Sequence, residues 1–145
     1  METELSLAAR QRAGEYFKQG YNCAESVFLA LQPWCAPDLE RSLLRIATPF
    51  GGGLGRSGCL CGALTGATMM LGLLVGRTSS DQSRQRPYEL SQAFCSRFVD
   101  AFGSTCCRTL VTDPFGSPEQ GRVCLKIIGN TARLFMEFAQ AEKLL

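Results

Sequence analysis

Apolar residues recur along this chain at helical rather than strand spacing, in blocks separated by glycine and proline. Leu5, Ala8, Ala9, Ala13, Tyr16 and Phe17 predict a first helix over about residues 5–19, and Gly20 supplies its stop. Asn22 with Glu25 three residues later forms a capping-box variant, so a second helix is expected to start at Cys23 and to close at Pro33. Pro37-Asp38 opens a third amphipathic segment, with Leu39, Leu43, Leu44, Ile46 and Ala47 on one face and Arg41 and Arg45 on the other, up to Pro49. Phe50 to Gly58 is too rich in glycine for a stable helix or strand and reads as a tight loop feeding a fourth helix near Cys61.

In that fourth helix Gly62 and Gly66 lie one turn apart and let another backbone approach closely, which makes it the expected hub of the fold. Between Arg56 and Arg77 there is no charge, and as a helix this stretch reaches about 30 Å, a bilayer's thickness. Gly58, Gly62, Gly66, Gly72 and Gly76 dilute its hydrophobicity and no Trp or Tyr belt flanks it, which argues against a membrane span. Pro87 restarts a helix with Phe94, Cys95, Phe98, Val99 and Phe102 inward, and Gly103-Ser104 ends it. A short helical turn around Cys107 and consecutive turns over Asp113 to Pro118 precede a long last helix marked by Val123, Ile127, Ile128, Leu134, Phe135 and Phe138 and including Cys124. With no strand pattern, repeat or second domain, the expectation is one all-α domain over residues 1–145: a compact bundle of about six or seven helices around a buried glycine-rich central helix.

Charge narrows the partners. The 15 basic and 13 acidic residues give a net charge of +2 with no basic run, which excludes a phosphate-tracking nucleic-acid surface. The acidic start, Met1-Glu2-Thr3-Glu4, lacks the features of a signal peptide, so a cytoplasmic protein is expected, and there disulfide scaffolds rarely persist.

Chemistry enters with sulfur: the chain has 8 cysteines and 0 histidines. Without imidazole there is no c-type haem attachment and no mixed His/Cys zinc site. Thiol redox chemistry or an all-thiolate metal or iron–sulfur site remains. Cys23, Cys61, Cys107 and Cys124 are expected in or near the first turn of a helix, where free amides and the helix dipole stabilise a thiolate. Cys59 lies one residue from Cys61, and Cys106 is adjacent to Cys107, so each pair could close only an easily reduced disulfide within itself. Cys95 among Phe94 and Phe98, and Cys35 in a loop beside Trp34, read as packing residues. Gly53 to Gly58 matches Gly-x-Gly-x-x-Gly by letter but follows a helix rather than a strand; it reads as a loop that brings backbone toward Cys61, with Arg56 free to stabilise an anion or thiolate.

Taken in order, Tyr21-Asn22-Cys23-Ala24-Glu25, Phe50 to Arg56, Cys61-Gly62-Ala63-Leu64-Thr65-Gly66, Phe102-Gly103-Ser104 with Cys107, and Cys124 resemble the C_GCAxxG_C_C family of redox-active proteins. The resemblance covers about residues 14–130 and implies four signature cysteines, here Cys23, Cys61, Cys107 and Cys124, with Cys59, Cys106 and Arg56 as accessories. Three readings stay open: a thiol redox protein in which Cys61 or Cys23 attacks and another thiol resolves, an iron–sulfur or thiophilic-metal module for electron transfer, and a structural, homodimerising helical domain. The redox partner and substrate do not follow from the residues.

Overall fold

The computed structural model describes residues 1–145. It contains α1 (Glu4–Lys18), α2 (Cys23–Cys35), 3-10 segments at Arg41–Ile46 and Thr48–Phe50, the single turn α3 (Gly51–Leu54), α4 (Gly62–Val75), α5 (Gln85–Phe102), the single turn α6 (Cys107–Leu110) and α7 (Pro118–Ala141), with no strand. The fold is all-α, as the periodicity predicts.

The helices begin where side chains satisfy their free amides. Thr3 and Ser6 close a capping box on α1, and Asn22 and Glu25 close one on α2. Ser117 caps α7, whose first residue is Pro118. Gly20 and Gly103, both at positive φ, turn the chain at the ends of α1 and α5.

Helices α1 and α7 pack antiparallel along most of their length. The Thr3 hydroxyl donates to Gln140 Oε1 at 2.7 Å at one end, and Gly14 faces Leu125 toward the other. Near the first end, Glu137 of α7 is buried between the Met1 amine at 3.1 Å and Arg133 at 2.9 Å. Phe94 of α5 meets Phe135 edge-on at 5.3 Å and Phe138 at 5.5 Å, joining the third long helix to this pair. Each of these aromatic rings is fully buried, worth about 1.5–3 kcal/mol apiece in water-excluded surface.

Helix α4 does pack its glycine face against α2: a side-chain carbon at Gly66 would lie 2.6 Å from the Ala24 carbonyl oxygen, so the backbones touch. The centre is shared, however. Helix α2 contacts α1, α4 and α7, whereas the far end of α4 exposes Leu73.

Several local expectations are corrected. Helix α2 runs through Pro33 to Cys35, so Cys35 is helical and not in a loop; Pro33 has lost only its own amide, near the helix end where little follows it. The segment after Pro37 winds as 3-10 helix instead of a regular amphipathic α-helix, leaving Leu43 and Ile46 exposed and only Ala47 of its apolar face buried. Leu5 faces solvent while the small Ser6 is buried against its cap, and Val99 lies at the edge of the α5 stripe.

Candidate functional site

Four loops and helix starts converge on one cleft of about 940 Å³, and Cys23, Cys61, Cys107 and Cys124 all line it. This convergence of residues spread over more than two thirds of the chain is the main product of the fold.

Each sulfur reaches the cleft by a different local device. Cys23 is the first residue of α2, fixed by the Asn22–Glu25 box; Asn22 Nδ2 also donates to the Thr48 carbonyl at 3.0 Å, and Thr48 Oγ1 donates to Glu25 at 2.7 Å. These bonds dock the 3-10 segment and the glycine turn against α2. Gly51 has to be glycine for that, because a side chain would strike Asn22. Gly52 and Gly53 adopt left-handed φ of +68° and +69°, and the Gly52 N–H donates to the Cys23 sulfur. A side-chain carbon at Gly53 would sit 3.0 Å from Cys107 Sγ, and one at Gly62 would collide with Cys23 Sγ. The glycines therefore carve the space that the sulfurs occupy.

Cys61 is the N-cap of α4 and is buried; Cys107 opens α6 and is half-buried. Two backbone bonds bring them together: the Cys61 N–H donates to the Thr105 carbonyl at 2.7 Å, and the Arg108 N–H to the Gly58 carbonyl at 3.1 Å. The Cys61 thiol and the Cys107 sulfur then lie within interaction range of each other, with the Gly62 N–H at the start of α4 beside Cys107. Cys107 is in consequence the acidic thiol of the site, lowered from 9.0 to about 7 chiefly by the Cys61 hydrogen bond. Cys61 moves the opposite way, because the bond it gives requires its proton and its surroundings are dry.

The expected depression of Cys23 and Cys61 at their helix starts is thus overturned. Burial raises Cys23 against the Gly52 bond, and the helix-end position does not compensate. Cys124 also departs from expectation: it is the seventh residue of α7, nearly two turns from Ser117, and burial raises it even though Gln120 Nε2 donates to its sulfur at 3.0 Å. Cys35, buried and away from the cleft, is pushed up to about 12 by burial alone, as a packing residue should be. Cys95 is half-buried on α5 and also outside the cleft.

The two accessory cysteines pair with each other rather than with their sequence neighbours. Neither Cys59–Cys61 nor Cys106–Cys107 is bonded within itself; Cys59 forms a disulfide with Cys106 across the two loops, with Cα atoms 4.2 Å apart. Arg56 lines the cleft, its guanidinium 4.9 Å from the Phe115 ring centre. Sequence reasoning missed Arg108, Gln120 and Phe115. Of these only Gln120 left a signal, four residues ahead of Cys124 on one helix face. No three Cys, Asp or Glu side chains gather closely enough to hold a metal ion in this arrangement. No helix is long and apolar enough to cross a membrane.

Comparison with known proteins gives a family and one relative. The family model described as "Putative redox-active protein (C_GCAxxG_C_C)" matches residues 21–138. A protein of Archaeoglobus fulgidus described as "Uncharacterized protein" is 29% identical over 149 residues, covering 97% of this chain and 99% of its own length. No solved structure matches.

Proposed function

This chain belongs to the C_GCAxxG_C_C family, and we propose that its cleft works as a thiol–disulfide oxidoreductase with Cys107 as nucleophile and Cys61 as resolving thiol. The observation that carries this reading is that Cys61 and Cys107, brought together by the Cys61–Thr105 and Arg108–Gly58 backbone bonds, line one open cleft. A thiol that ionises readily beside a second thiol is what such an exchange requires.

In the first step the Cys107 thiolate attacks one sulfur of a substrate disulfide. The Cys107–substrate bond forms, the substrate's S–S bond breaks, and one substrate thiolate leaves and takes a proton. In the second step Cys61, having given up its proton, attacks the Cys107 sulfur. The Cys61–Cys107 disulfide forms and the second substrate thiolate leaves. The substrate gains two electrons and the cysteine pair loses two. Cys23 and Cys124, both held protonated by burial, line the cleft beside this pair as reserve thiols.

Oxidised glutathione is a suitable probe. Cys61→Ser protein with its Cys59–Cys106 disulfide intact should accumulate one glutathione adduct on Cys107, while Cys107→Ser should form none and the unaltered protein should end with Cys61–Cys107 bonded. An adduct on Cys23, Cys61 or Cys124 in place of Cys107, or no adduct at all, would overturn the assignment.

A further inference from the structure

Two cysteine pairs stand side by side on the same pair of loops, in opposite redox states. Cys59 is bonded to Cys106, while Cys61 and Cys107 are free thiols. The first pair is separated from the second by one residue on one loop and by none on the other. Only the inner pair lines the cleft; the outer pair is half-buried and lies outside it. The outer disulfide is also not needed to hold the loops together, because the Cys61–Thr105 and Arg108–Gly58 backbone bonds already tie them on either side of it.

We propose that Cys59 and Cys106 are the second couple of a disulfide relay, which takes over the oxidation captured by Cys61 and Cys107 in the cleft and presents it to an external dithiol at the outer face. This rests on the oxidoreductase reading above. The transfer balances without an added oxidant. Starting from a Cys61–Cys107 disulfide and reduced outer thiols, the Cys59 thiolate attacks the Cys61 sulfur; the Cys59–Cys61 bond forms, the Cys61–Cys107 bond breaks, and Cys107 leaves as a thiolate. Cys107 is the better leaving group of the two because it is the more acidic. The Cys106 thiolate then attacks the Cys59 sulfur, the Cys59–Cys106 bond forms, and Cys61 leaves and takes up the proton released by Cys106. Two electrons have moved from the outer pair to the inner, and the product is the state observed here, with the outer pair bonded and the inner pair reduced. An external dithiol then returns two electrons to Cys59–Cys106 and is itself oxidised to a disulfide.

The test uses the whole chain, fully reduced, mixed with one equivalent of oxidised glutathione, quenched by alkylation at intervals and mapped for disulfides. The relay predicts that Cys61–Cys107 appears first and decays as Cys59–Cys106 grows, at one disulfide per chain and at a rate independent of protein concentration. Cys107→Ser should slow formation of Cys59–Cys106 by at least about tenfold, because the thiolate through which the relay takes in oxidation is gone. Persistence of Cys61–Cys107 beside reduced Cys59 and Cys106 would overturn the relay, as would concentration-dependent transfer or an unchanged rate in Cys107→Ser. Failure of Cys61–Cys107 and of any Cys107 adduct to form would instead remove the underlying oxidoreductase reading.

Discussion

The two ends of this molecule are built on opposite principles. Between α1, α5 and α7, long helices mesh buried aromatic and aliphatic side chains, with Phe94, Phe98, Phe135 and Phe138 almost wholly out of water. Around the cleft, single turns and short loops meet the starts of α2 and α4 and one face of α7, and glycines make room for the sulfurs. The aromatic packing thus lies away from the sulfurs, while the cleft takes part of its wall from the same core through Cys61, Ala63 and Ile128. The loops around the cleft carry little of the core, so the thiol exchange proposed for it could shift them without unfolding the helices.

Substitutions can break this division, and the largest effect should come from the core. Phe135→Ala should cost about 3–5 kcal/mol in urea unfolding. The alkylation rate of Cys107 in the folded protein should stay within about twofold, since the mutation touches none of its hydrogen-bond partners. A parallel loss of Cys107 reactivity would show that the two regions are not separate.

Gly66→Ala sits on the boundary. Its new methyl group would lie 2.6 Å from a backbone oxygen that cannot rotate away, so about 1–3 kcal/mol should be lost. Because the α2 start must then move, labelling of Cys23 should rise, which mass spectrometry of alkylated peptides would detect. Asn22→Ala removes the cap of α2 and the bond to Thr48, for about 1 kcal/mol by thermal or urea unfolding.

A further expected effect is a pH dependence. Cys35 titrates near 9.0 when unfolded and about 12 when folded, so the folded state binds more protons between these values. Its contribution is full below about pH 9 and is lost as pH rises toward 12. Urea midpoints should fall across that window, and Cys35→Ala should flatten part of the fall.

How far the sequence reveals all this differs between the regions in the same way. The core stripe on α5 and α7, the start of α2 at Cys23 and the close approach at Gly66 were legible, because periodicity, capping residues and small-residue spacing are local signals. Leu5 and Ile46 misled because a side chain's face depends on what packs there, and Pro33 because one lost amide near a helix end is tolerated. In the site, the four signature cysteines were identifiable as residues. Their ordering by acidity was not, since it depends on which thiol donates to which, and Cys61 and Cys107 are brought together only by loop–loop hydrogen bonds. The Cys59–Cys106 bond was hidden for the same reason: its partners are 47 residues apart in sequence, while each has a nearer cysteine beside it.

In the proposed function the inner pair carries one stabilised thiolate, on Cys107. The most direct test of this is alkylation of the folded protein as a function of pH, with each cysteine resolved by peptide mass spectrometry. Cys107 should be labelled first, with a midpoint near pH 7, and Cys61 should remain protected until well above pH 9. A Cys107 midpoint near 9, or labelling of Cys61 ahead of it, would show that Cys107 does not carry the thiolate.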